Sequence, residues 1–125
     1  MQPYLAVAAG GAIGATLRFA VAQLALNRWG SGFPWGTLAV NLIGSLLIGL
    51  CWQLFERWQI SPNARVFLFV GIFGGFTTFS SYALESVRLL QEGRLQIGLV
   101  YMVGSNLGGL TAVFLGYLLG RLLAR

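Results

Sequence analysis

The chain is 125 residues long, 57% of them hydrophobic and only 9% charged, too little charge for a water-soluble domain. Its 18 glycines in an apolar background fit membrane helices that pack closely through small residues, so the sequence predicts an integral membrane protein with one domain over residues 1–125. The net charge of +5 comes from eight arginines against Glu56, Glu85 and Glu92, and the arginines fall mostly at the ends of apolar runs, which argues against nucleic-acid binding. Cys51 has no partner for an intrachain disulfide, and without any histidine a transition-metal centre is not expected.

A membrane-crossing helix needs roughly 20 apolar residues, and the sequence supplies four such runs. They extend from about Leu5 to Leu26, Trp35 to Phe55, Arg65 to Leu90 and Leu95 to Leu123. The amino end lacks a basic leader and its apolar run outlasts a signal peptide, so a retained helix is expected there. Short polar links, 27–34, 56–63 and 91–94, join the runs. Trp29, Trp35, Trp52 and Trp58 fall near their ends, as interfacial aromatics do.

In the first span Gly10 and Gly14 give a small-xxx-small face. Arg18 lies deep in the same run, where a guanidinium is costly unless it meets water, a partner or an anion. It either bonds to exposed carbonyls or places positive charge at the mouth of a vestibule. On the second span Thr37, Asn41, Ser45 and Gly49 recur at spacing four and form one narrow stripe. Ser45 and Gly49 suit helix packing; Asn41, an amide near mid-bilayer, either packs or lines a permeation path. The fourth span carries Gly104, Gly108, Ala112, Gly116 and Gly120 at spacing four as a close-packing face. Beside it run Tyr101, Ser105 and Gly109, with Asn106 next to them. The two hydroxyls there either bond between helices or serve a passing anion.

The third span is interrupted. Gly71-Ile72-Phe73-Gly74-Gly75-Phe76-Thr77-Thr78-Phe79-Ser80-Ser81-Tyr82 sets two adjacent glycines against two threonines, poor material for an unbroken helix. A break at about 74–78 is expected, dividing the span into two half-helices. Irregular backbone at membrane depth persists only where protein buries it or where it lines a watery cavity. The first half would end in free carbonyls and the second begin with free amides. Carbonyls at Gly74 and Thr77 suit a small hard cation; the amides, with the hydroxyls of Thr78, Ser80 and Ser81, suit an anion. Phe79 and Tyr82, three apart, share a face whose ring edges can hold an anion loosely, or simply pack. Thr77, Ser81 and Glu85 mark an i, i+4 line towards one surface. Glu85 either ends that polar track or pairs with Arg88.

Counting arginines by side gives Arg57, Arg65, Arg121 and Arg125 against Arg28, Arg88 and Arg94, almost no positive-inside bias. Such balance fits insertion in both orientations and an antiparallel dimer, or a weak orientation signal; four spans alone make a thin bundle, so at least a dimer is expected.

The run from Gly74 to Ser80 followed by Tyr82, the segment Gly36-Thr37-Leu38-Ala39-Val40-Asn41-Leu42-Ile43-Gly44 and the glycine-rich first span ending in Arg18 resemble the Fluc (CrcB) fluoride channels over nearly the whole chain. The resemblance implies an all-α, dual-topology homodimer of four-span subunits in a bacterial inner membrane, with two pores. It implies passive fluoride export and fluoride resistance rather than an enzyme. It also implies a structural, non-transported sodium ion held by the main-chain carbonyls of Gly74 and Thr77. The pore positions fall on Asn41, Phe79, Tyr82, Tyr101 and Ser105, and the polar track on Thr78, Ser81 and Glu85. The family's usual second phenylalanine is Tyr82 here, and Gly109 stands where another serine can occur. A small multidrug antiporter, also four spans, would need a carboxylate in the first span, which has Arg18 and no acid. A purely structural subunit would leave Arg18, Asn41 and the break without purpose.

Overall fold

A computed structural model describes residues 1–125, and it is helical throughout with no strand. Four helical spans are long and apolar enough to cross a membrane: 2–29, 35–58, 62–91 and 95–123. We label them α1 (Gln2–Trp29), α2 (Trp35–Trp58), α3 (residues 62–76), α4 (Phe79–Gln91) and α5 (Leu95–Leu123), with α3 and α4 the two parts of the third span. The helices outrun the apolar stretches by a turn at several ends, because the flanking tryptophans and polar residues remain helical.

The ends follow local chemistry. Gly30 closes α1 at φ +75° and Gly93 follows α4 at φ +76°, both in the left-handed region that glycine enters without strain. Ser61 caps α3 by accepting from the Ala64 amide at 3.3 Å, with Pro62 in the first turn where its missing N–H costs nothing. Within α3 the segment Val66–Phe73 winds as a π-helix, wider than an α-helix.

The helices pack as a row rather than a square bundle. α1 lies against α3 on one side and α2 on the other, α2 packs most extensively against α5, and α4 folds back onto α5. Links at the same end are tied together: Arg94 donates to the Gly32 carbonyl at one end, and Asn63 to Gln2 at the other. Glycines set the distances. A Cβ on Gly14 would overlap the Ile72 carbonyl and one on Gly10 the Phe67 carbonyl; one on Gly116 would overlap that of Leu46. The glycine stripe of the fourth span therefore divides. Gly116 and Gly120 seat α5 on α2, whereas Gly104 has no neighbour within 4 Å in its own chain.

Only 15 of 125 residues are buried, so the outward side chains must be covered by lipid or by another subunit. Gly14→Val should destabilise the detergent-solubilised protein by about 1–3 kcal/mol through overpacking, a drop of several degrees in unfolding midpoint. Gly32→Ala, where a Cβ meets nothing within 4 Å, should leave the midpoint in place. Equal midpoints for the two variants would contradict the role given to Gly14.

Candidate functional site

The interruption of the third span is two residues wide. Gly74 to Phe76 stay helical, and the chain turns extended at Thr77 (φ −83°, ψ 162°) and Thr78 (φ −152°, ψ 121°) before α4 begins at Phe79. The break thus lies inside the expected 74–78 stretch, but the threonines make it and the adjacent glycines do not. The glycines serve packing instead: a Cβ on Gly75 would sit 2.9 Å from the Gly11 carbonyl oxygen of α1.

What holds the break open is a side-chain amide. Asn41 Oδ1 accepts from the Thr78 N–H at 2.8 Å, and Asn41 Nδ2 donates to the Thr78 carbonyl at 3.0 Å. An unbroken α-helix would send the Thr78 N–H to the carbonyl of Gly74. The Ser81 N–H, which would go to Thr77, is instead taken at 3.1 Å by Thr78 Oγ1, the N-cap of α4. Gly74 and Thr77 therefore lose their helical donors, and these are the two carbonyls that the sequence singled out for a cation. The Gly75 carbonyl between them is occupied, because Arg18 Nε donates to it at 2.9 Å. Arg18 thus anchors the break, as the carbonyl-bonding alternative for it expected.

Thr77 does not begin a polar line through Ser81 to Glu85, since it lies outside α4 and its hydroxyl turns back to the Phe73 carbonyl at 2.8 Å. Glu85 has no bond to Arg88. Its Oε1 accepts from the Thr37 hydroxyl and its Oε2 from the Tyr101 hydroxyl, both at 2.7 Å, joining α2, α4 and α5. Spacing on one helix offered the end of a polar track or the i+3 arginine, while the carboxylate bonds to hydroxyls on two other helices.

A groove of about 350 Å³ runs beside the break, lined by Asn41, Ser45, Thr78, Phe79, Tyr82, Ser105, Asn106 and Gly109 among others. Phe79 and Tyr82 stand together, ring centroids 5.6 Å apart, and Tyr82 is 5.5 Å from Tyr101. Phe79 is 78% exposed, so one wall of the groove is open to whatever adjoins this chain. Asn106 Nδ2 donates to the Tyr82 hydroxyl at 2.8 Å. A phenol oxygen that accepts this bond keeps its own proton to give. Ser105 carries a buried hydroxyl without a partner. At Gly109 an added Cβ would meet only Ser45 Oγ, at 3.7 Å, so the groove has room there.

Of the site positions read from sequence, Asn41, Gly74, Thr77, Thr78, Phe79, Tyr82 and Ser105 line this groove. Ser81 contributes its amide to the cap. Tyr101 is only 1% exposed, and its partner Glu85 lines a second cavity of about 350 Å³ that reaches the 30–34 link. Asn106 is a polar groove residue that spacing did not assign, though it sits one place from Ser105.

Residues 5–117 match the family model described as CrcB-like protein, Camphor Resistance (CrcB). A relative in Parabacteroides distasonis, named fluoride-specific ion channel FluC, is 50% identical over 112 residues, covering 90% of this chain and 88% of its own. One of the same name in Thermus thermophilus is 50% identical over 120 residues, 96% of each chain. Another, in Aquifex aeolicus, is 45% identical over 121 residues, 96% of this chain and 98% of its own. Likeness along nearly the full length, on a chain of four apolar spans with a pinned break in the third, means that this multi-pass membrane protein belongs to the CrcB (FluC) family.

Proposed function

We propose that this protein is a fluoride-selective ion channel that lets fluoride leave the cytoplasm down its gradient, and that it is not an enzyme. The observation that carries this reading is the groove at the break. Its walls offer hydroxyl protons from Tyr82 and Ser105, ring edges from Phe79 and Tyr82, and the amide end of α4, with no carboxylate among its lining residues. Donors and ring edges attract a small anion, and a mixture of strong and weak donors lets it leave again. The printed names of the relatives agree, since each is a fluoride-specific ion channel.

The functional unit is an antiparallel homodimer in the bacterial inner membrane. Three observations support it: near-equal arginine counts on the two sides, the small buried fraction within one chain, and the exposed Phe79 that completes no wall by itself. A second copy related by a two-fold axis would close each groove and give two pores.

A structural sodium ion fits the same break. Carbonyl oxygens suit a hard cation, and Gly74 and Thr77 each lack the amide that a continuous helix would supply. The Gly74 and Thr77 carbonyls would hold the ion, which would supply a fixed positive charge at the break. Arg18, already bonded to the carbonyl of Gly75, keeps that oxygen out of the set.

In liposomes the purified protein should pass fluoride far faster than chloride without a proton gradient, and Phe79→Ile should cut the flux by at least about tenfold, the effect of removing roughly 1.4 kcal/mol of interaction with the moving ion. Comparable chloride flux, strict proton coupling or full activity of the variant would each count against the reading. Cysteine tags in the 27–34 and 56–63 links should each label from both sides of the cell membrane; labelling of each from one side alone would rule out dual topology. Replacing sodium by N-methylglucamine should lower the unfolding midpoint of the dimer, and an unchanged midpoint would remove the ion from the model.

A further inference from the structure

The 30–34 link is not a slack turn. From it Phe33 folds inward and meets the Tyr101 ring edge-on, centroids 5.5 Å apart at 85°. The Phe33 ring also packs on Trp35 at 4.6 Å, and Trp35 lies 6.1 Å from Trp29. Arg94, from the link between α4 and α5, donates to the Gly32 carbonyl and so ties down the backbone beside Phe33. Glu92 pairs with Arg94 at 3.8 Å. Phe33, Arg94, Thr37 and Glu85 all line the second cavity.

Tyr101 lies between Tyr82, which lines the groove at the break, and Phe33, which lines the second cavity. Its hydroxyl is held by Glu85, but one hydrogen bond at the tip fixes neither of the two side-chain torsions that swing the ring. The ring is packed by these two neighbours, Tyr82 tilted at 50° and Phe33 edge-on at 85°.

We propose that Phe33 is a positioning residue for conduction. By its edge-on contact it keeps the Tyr101 hydroxyl on Glu85, beside the anion's route, and Arg94 holds the link that carries it. The inference rests on the fluoride-channel reading above and adds to it a residue outside the membrane-spanning helices.

The test is fluoride efflux from liposomes containing the full-length protein. Phe33→Leu, which fills the space without a ring edge, should slow efflux roughly three- to tenfold, the range expected for losing one aromatic pair. Phe33→Tyr, which keeps the ring, should restore wild-type efflux. Arg94→Gln, which releases the link without touching Tyr101, should slow efflux in the same direction. If Phe33 acts through Tyr101, the double variant Phe33→Leu/Tyr101→Phe should be no slower than the slower single one. Wild-type efflux in both Phe33→Leu and Arg94→Gln would overturn the inference, as would a double variant slowed by the product of the two single effects. Failure of the channel reading is distinct, because the wild-type protein would then pass no fluoride.

Discussion

The side-chain amide of Asn41 takes both the N–H and the carbonyl of Thr78, and the rest of the site follows from that pair of bonds. Mid-membrane backbone without a partner costs several kcal/mol per group, so a helix cannot simply stop there. Asn41 supplies a donor and an acceptor in the geometry of a neighbouring strand, and Thr78 can stay extended. Its withdrawal from the helical pattern then frees the Gly74 carbonyl, and the Thr78 hydroxyl, capping α4, frees that of Thr77. Arg18 takes the carbonyl between them. One asparagine on α2 thereby turns a helix interruption into an ordered array of oxygens on one side and amides on the other.

Packing keeps this array in register. α1 can approach α3 only because Gly10 and Gly14 lack side chains where Phe67 and Ile72 present carbonyl oxygens. The same closeness brings Arg18, one turn beyond Gly14, within reach of Gly75. Along α2, Thr37 lies one turn from Asn41, and it feeds the Glu85 cluster rather than the break. The stripe at spacing four on α2 thus serves two adjacent sites, with Asn41 on the groove and Thr37 on the carboxylate beyond Tyr101.

Much of this was legible in the sequence. Four apolar runs of the right length fixed the spans, and a Gly-Gly followed by Thr-Thr marked the interruption to within a few residues. Asn41 stood out because an amide at that depth needs partners. What spacing on a single helix cannot supply is the partner on another helix. For Glu85 spacing offered the end of a polar track or Arg88 at i+3, but its bonds go to Thr37 and Tyr101, which lie 48 and 16 positions away. Thr77 was read as the start of an i, i+4 line, yet helical periodicity does not extend across residues that have left the helix. Asn106 and Phe33 were passed over for a similar reason: one gains its role from the hydroxyl of Tyr82, the other from a link that folds back onto a ring.

The two-residue gap between α3 and α4 also redistributes the field inside the membrane. A continuous helix of this length would place its partial charges near the two surfaces, about half a unit of each sign. Interrupting it brings a negative and a positive end to mid-depth, side by side, where little water screens them. In the antiparallel pair proposed above, the second chain repeats this arrangement upside down. The potential met on approach from one face then equals that met from the other. Such a conduit is electrically even-handed: it has no built-in rectification, and the direction of net flow is left entirely to the concentration and voltage difference across the bilayer.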